Sequence, residues 1–176
     1  MLHSITSENS YHYNSPLGII FIATTDIGIC SLNFISENTK PGVRSDTQSE
    51  SLHPFIKQLI SELDEYFAGK LKSFSSPLDP QGTEFQKKVW NAVAAVPFGE
   101  VISYAKLSDA LKQPEAIRAV ANANARNPLL ILIPCHRVIG TDGSLTGYAA
   151  GLPRKKFLLE LEGALQPTQQ LNLEFN

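Results

Sequence analysis

The sequence is short of several things at once, and each shortage excludes a class of protein. Only 18% of its 176 residues are charged, while 43% are apolar. A chain with that balance can bury a core and does not stay disordered. No apolar run approaches the roughly 18 residues of a membrane-spanning helix, so no membrane partner is expected. Residues 1–13 are polar and lack the apolar centre of a secretory signal. There are two cysteines, Cys30 and Cys135, too few for a disulfide framework. A soluble, intracellular chain with reduced thiols is therefore expected.

An excess of charge of one sign is also missing, since the formal net charge is −2. The distribution along the chain says more. Residues 1–81 carry 5 Lys and Arg against 9 Asp and Glu, and residues 82–163 carry 10 against 7. The later segment is the place to look for phosphate contacts, although an excess of three is modest.

What is present divides into two regions and a tail: 1–81, 82–165 and 166–176. In the first, residues 17–34 predict a β-hairpin. Ile19 to Ile22 form one apolar run, Thr25-Asp26 with Gly28 forms the turn, and Ile29, Cys30, Leu32 and Phe34 form the second run. Residues 36–50 are almost devoid of apolar side chains and are expected to form a mobile loop. Over 54–68, Phe55, Ile56, Leu59, Leu63, Tyr66 and Phe67 recur at helical spacing, with Pro54 suited to the first turn and Gly69 to the end. The segment 71–82 is the candidate domain boundary.

In the second region a helix starts at Thr83, which with Gln86 is spaced as a capping box. Its buried face is expected to be Phe85, Val89, Val93 and Val96, and Pro97-Phe98-Gly99 breaks it. Two short helices follow, one capped by Ser103 and running to about Leu111, the other opened by Gln113-Pro114 and closed by Asn127-Pro128. This is the pattern of a helix-turn-helix. The second helix is rich in alanine, which leaves a slim surface. Leu129 to Ile133 reads as a buried extended segment leading into Pro134-Cys135-His136-Arg137, and a last helix covers about 154–162. The fold expected is α+β: a small N-terminal β-sheet with a helix, then a mostly helical C-terminal domain.

Cys135 is the centre of the chemistry. Thiolate, the reactive form of cysteine, is favoured near His, Arg or a helix N-terminus, and Cys–His pairing makes nucleophiles. On the dipeptide alone, a buried inert thiol is the commoner outcome.

The wider stretch decides between them. Asn127-Pro128, Ile133-Pro134-Cys135-His136-Arg137-Val138-Ile139-Gly140, Gly147-Tyr148 and Leu161-Glu162-Gly163 together resemble the O6-alkylguanine-DNA alkyltransferases, also called methylated-DNA–protein-cysteine methyltransferases. The stretch from Phe98 to Leu107 matches that family's first helix-turn-helix element. The resemblance covers Thr83 to Gly163 densely and the N-terminal region loosely, where it implies a ribonuclease-H-like structural domain.

The resemblance implies that Cys135 takes an alkyl group from O6 of guanine, and from O4 of thymine as well, in a single turnover without cofactor. His136 matches the histidine that removes the thiol proton through a water. Glu162 matches the carboxylate orienting that histidine, and Tyr104 the donor to guanine N3. Backbone groups of Cys135 and Val138 match those that read the guanine edge. Asn127 matches the asparagine tying the recognition helix to the cysteine turn. Tyr148 and Ala149 fall in the loop walling the alkyl pocket, where some relatives carry serine at the second position. Leu130 replaces a proline of some relatives. Arg118 matches the arginine that fills the gap left by a flipped base, and Ala119, Ala123 and Arg126 complete the expected DNA face.

The implied partner is double-stranded DNA containing O6-alkylguanine, approached through the minor groove without sequence preference by a monomer, in the cytoplasm or a eukaryotic nucleus. Some relatives hold zinc in the N-terminal domain; Cys30, His3, His12 and His53 lack the paired spacing of a zinc site, so no metal is expected and Cys30 is assigned to the core. A relative that binds lesions without chemistry would lack Cys135. A Cys-His hydrolase would turn over repeatedly, and a transcription factor would prefer one DNA sequence.

Overall fold

The computed structural model describes residues 9–35 and 52–165. The expected loop at 36–50, His3 and the tail at 166–176 lie outside them. Contacts divide the chain into two compact units, with the break between Gln81 and Gly82. The architecture is mixed α and β, with the antiparallel sheet in the first unit and most helices in the second.

The first unit holds a three-stranded antiparallel sheet in the order β1-β2-β3, formed by Ser10–Ser15, Gly18–Thr24 and Ile29–Phe34. The expected hairpin is β2 and β3. Strand β1 was not expected, because SYHYNS carries neither β-branched residues nor an apolar run. Pairing with β2 makes it a strand: Tyr13 stands opposite Ile20 and Tyr11 opposite Ile22. Helix α1, Pro54–Phe67, buries Ile56, Leu59, Leu63 and Tyr66 and packs on β1 and β2. Ile20, Ile22, Ala23, Ile29 and Leu32 complete that core. Leu78 pairs beside Ile29 in a parallel bridge, which explains Gly28: a Cβ there would stand 2.6 Å from the Pro77 carbonyl oxygen. Cys30 lies on β3 but is half-buried rather than in the core, because the buried side chains of that strand are Ile29 and Leu32.

The second unit opens with α2, Glu84–Ala94. Both bonds of the capping box form, Gln86 N–H to Thr83 Oγ1 at 3.2 Å and Thr83 N–H to Gln86 Oε1 at 2.9 Å. Its buried residues are Val89, Trp90 and Val93. Trp90 falls outside the expected valine stripe and Phe85 is only half-buried. Trp90 Nε1 donates to the Ala123 carbonyl at 2.9 Å, which ties α2 to the second of the two short helices. Helix α3 is Tyr104–Ala110, capped by Ser103. The second helix of the pair starts as a 3-10 turn, Pro114–Ala116, before α4, Ile117–Ala125.

Two-residue strands β4, Ile102–Ser103, and β5, Val138–Ile139, pair in parallel. This pairing fastens the start of the helix-turn-helix to the turn that carries Cys135. Helix α5, Leu152–Leu161, begins two residues earlier than expected, since Pro153 is tolerated where the helix needs no N–H.

Leu129 to Ile133 is buried as expected but is not extended. Leu132 N–H donates to the Leu130 carbonyl and Ile133 N–H to the Leu129 carbonyl, both at 2.9 Å, and Ile131 has φ of 73°. A uniformly apolar run carries no periodicity with which to tell a strand from a compact turn. Positive φ at a β-branched residue is strained backbone, here held by burial four residues before Cys135.

Candidate active site

The turn carrying Cys135 is set by backbone geometry. Cys135–Arg137 form a 3-10 turn after Pro134, with Arg137 N–H donating to the Pro134 carbonyl at 2.9 Å. The amide of Asn127 holds the turn from the side. Its Nδ2 reaches the Ile133 carbonyl at 2.7 Å and Cys135 Sγ at 3.2 Å, while its Oδ1 accepts from Leu129 N–H at 2.9 Å. Cys135 is only 3% exposed. Burial pushes its thiol up to about 11, against the opposing effects of the Asn127 hydrogen bond and the Lys155 charge. At neutral pH the resting group is therefore a thiol, and the chemistry needs a base.

His136, the next residue, has the position and the protonation state that a base there would require. Its Nε2 lies 2.8 Å from Glu162 Oε1, both side chains being fully buried. A carboxylate can only accept, so Nε2 carries the hydrogen and the lone pair is left on Nδ1. Nδ1 is buried and has no hydrogen-bond partner among the described residues. Burial lowers the His136 pKa despite the Glu162 carboxylate beside it, so the imidazole is neutral at neutral pH and able to take a proton.

Glu162 also accepts from Arg137, Nε to Oε2 at 2.8 Å and Nη2 to Oε1 at 3.0 Å. This two-pronged pairing fixes the carboxylate plane and hence the imidazole. Arg137 is anchored at its other end by the Val96 carbonyl at 2.6 Å.

His136 and Glu162 lie 26 positions apart in the sequence, and folding brings them into contact. A model of the 6-O-methylguanine DNA methyltransferase DNA-binding domain matches residues 84–164, and a model of the ribonuclease-like domain of the same proteins matches 11–80. The chain belongs to the 6-O-methylguanine DNA methyltransferase family. The methylated-DNA–protein-cysteine methyltransferase of Methanosarcina acetivorans is 47% identical over 86% of this chain and 96% of its own length. The crystal structure of Mycobacterium tuberculosis O6-methylguanine methyltransferase superposes with a TM-score of 0.75 at 37% identity, covering 91% of this chain and 95% of that one. M. tuberculosis OGT in complex with DNA gives 0.76 at 37% identity, covering 88% and 92%.

In this member of the 6-O-methylguanine DNA methyltransferase family, the structure brings together as buried residues Cys135, His136 and Val138 on one turn, Asn127 just after α4 and Glu162 at the end of α5. Tyr104 follows β4 directly and so is carried to the same place. Its hydroxyl oxygen would lie 3.6 Å from a Cβ placed on Gly147, and the loop that begins there contains Tyr148 and Ala149. The Tyr148 ring meets that of His136 edge-on at 6.5 Å, while Ala149 is exposed.

Arg118 and Ala119 on α4, and Arg126 capping its end, are exposed. Ala123 is not: it is 4% exposed, faces the core and presents its carbonyl to Trp90, so it is removed from the expected DNA face. Asn122 and Ala125 are exposed instead, and Asn122 Oδ1 accepts from Arg126 Nε at 3.3 Å.

Two contributors to the site escaped the sequence reading. The cation that opposes the rise of the Cys135 pKa is Lys155, not the adjacent Arg137, which is paired with Glu162. Lys155 is fully buried, and its Nζ donates to the Val138 and Thr146 carbonyls, each at 2.6 Å. It thereby joins the nucleophile turn to the pocket loop. Burial lowers its pKa to about 8. In the sequence, Arg154-Lys155-Lys156 reads as a solvated basic run, and the only distinguishing signal is Lys155's spacing from Leu158 and Leu159 on α5. The second is Asn124, buried on α4 with its amide against the Tyr104 hydroxyl. Among the described residues no three His, Cys, Asp or Glu side chains gather as metal ligands.

Proposed function

We infer that the chain repairs DNA by moving an alkyl group, methyl in the simplest case, from O6 of guanine to Cys135. The sulfur–carbon bond forms as the carbon–oxygen bond breaks, and the electron pair leaves on guanine. The thiol proton goes to His136 Nδ1 through a bridging water, and Glu162, locked by Arg137, keeps the imidazole in the accepting tautomer. Tyr104 donates to N3 of the departing base. The product is a thioether. Unlike an acyl-enzyme it offers no carbonyl for water to attack, so each molecule acts once.

The observation that carries this reading is the fully buried His136–Glu162 pair, which leaves a free imidazole lone pair one residue from a buried thiol that is protonated at rest. The Val138 carbonyl gives one lone pair to Lys155 and retains another for the exocyclic amine of guanine.

DNA is the partner. A target carbon inside a duplex is out of reach, so the base leaves the stack, and exposed Arg118 fills the gap from the minor groove. The slim face of Ala119, Asn122 and Ala125 suits that approach by a monomer, without sequence preference. Ala149 keeps the backbone N–H facing O6 but lacks the hydroxyl some relatives have there, and Leu130 changes the same wall; both bear on which alkyl groups fit, O4-alkylthymine included.

The test is mass spectrometry after incubation with duplex DNA methylated at guanine O6. A gain of one methyl confined to Cys135 is expected, with none in Cys135→Ser, which should still bind DNA. Methyl uptake by Cys135→Ser would remove Cys135 from the reaction. Arg118→Ala should slow repair of duplex DNA on the order of tenfold or more while sparing reaction with free O6-benzylguanine; equal losses on both substrates would rule out the flipping role.

A further inference from the structure

Asn124 is a buried polar residue with a contact that the reaction described above does not use. It lies on the inner side of α4, 2% exposed, where the neighbouring buried positions are Val120 and Ala123. Its Nδ2 donates to the hydroxyl oxygen of Tyr104 at 3.4 Å, joining positions 20 residues apart on the two helices of the helix-turn-helix. Its Oδ1 is buried with no hydrogen-bond partner among the described residues. Leaving a carbonyl unpaired in the interior is costly, and an apolar residue of similar size would avoid the cost. The amide is retained at the one place where it meets the phenol.

A phenol has one O–H and two lone pairs. If the O–H pointed at a protein acceptor, it could not serve the leaving base. An amide N–H directed at the oxygen occupies a lone pair instead, leaves the O–H free and stabilises negative charge that develops on the oxygen as the proton departs. Tyr104 sits where that matters, since a charge on Cys135 is felt at its hydroxyl. We propose that Asn124 is a positioning residue which, by donating to Tyr104, holds the phenol O–H as the proton donor to the departing guanine. The inference rests on Tyr104 being that donor. The proton balance closes: the thiol proton passes to His136, the Tyr104 proton to guanine, and the imidazolium re-protonates the phenolate, so one proton moves from sulfur to base.

The test compares two reagents for Cys135. O6-benzylguanine has a leaving group that needs a proton, whereas iodoacetamide releases iodide, which needs none. Asn124→Leu is expected to slow benzyl transfer on the order of tenfold and to leave carbamidomethylation of Cys135 within about twofold. In a Tyr104→Phe background the same substitution should cause no further loss. Asn124→Ser, too short to reach the phenol, should behave alike and serves if the leucine variant does not fold. Equal slowing with both reagents, or losses that multiply in the double variant, would show that Asn124 acts through packing. Benzyl transfer that is unchanged or faster in Asn124→Leu would show that the phenol donates to Asn124 rather than to the base. A Tyr104→Phe variant with undiminished benzyl transfer would instead overturn the role of Tyr104, an outcome separable from the others.

Discussion

The two units keep their charged groups in different places. In the first, Glu62 sits at the surface, where Ser75 and Ser76 each donate to it through backbone and hydroxyl. Burial alone would raise its pKa, but those hydrogen bonds hold it below the ordinary value. Asp64 accepts from Tyr13 and Asp79 from Thr25, both at 2.7 Å in partly buried surroundings. Among the described residues every buried charged or histidine side chain lies in the second unit: His136, Arg137, Lys155 and Glu162. Charges are expensive to bury and are retained only where partners compensate them. Their confinement to one turn and one helix teaches that the second unit bears the cost of burying charge, and bears it around Cys135.

The contrast can be broken in order of effect. Glu162→Ala strands the Arg137 guanidinium in the interior and should cost about 3–5 kcal/mol by chemical denaturation, with loss of alkyl transfer. Glu62→Ala should cost about 1 kcal/mol and spare transfer. Equal losses would erase the distinction between the units.

The next effect is in pH. Lys155 has a folded pKa near 8 against 10.5 ordinarily, so between those values the unfolded chain holds a proton that the native state has released, and stability rises with pH. Cys135 acts the other way, from 9.0 ordinarily to about 11 folded: the native state keeps a proton the unfolded chain has lost, and stability falls. Urea titrations across this range should show Lys155→Met losing the rise and Cys135→Ser losing the fall. A Lys155→Met profile parallel to the parent would contradict a buried cation.

A smaller effect concerns rate. Because the His136 pKa lies below its ordinary 6.5, transfer to Cys135 from O6-benzylguanine should stay level as pH falls through 6.5 and decline only at lower pH, when the imidazole protonates. A decline centred at 6.5 would place His136 in solvent. Smallest of all, Tyr13→Phe removes the bond to Asp64 and should cost about 1 kcal/mol with alkyl transfer unchanged.

Much of the framework could be read from local pattern. The capping box at Thr83, the Pro54 start of α1, the paired short helices and the β2–β3 hairpin all follow from contacts within a few residues. Strand β1 could not be read so, because its strand character comes from β2 rather than from its own side chains. Likewise the Leu129–Ile133 run has no polar face to report its conformation, and Trp90 is placed by a carbonyl on another helix.

For the site, the motif around Cys135 and its spacing to Glu162 were enough to single out the residues that the fold brings together, Cys135, His136 and Glu162, since a family resemblance is carried by residue order. Which charge supports the sulfur, which alanines face outward and which amide touches Tyr104 were decided only by the tertiary structure. Those facts depend on direction in space: burial turned Ala123 inward, committed Arg137 to Glu162 and brought Lys155 and Asn124, ordinary helix residues in the sequence, against the groups that react.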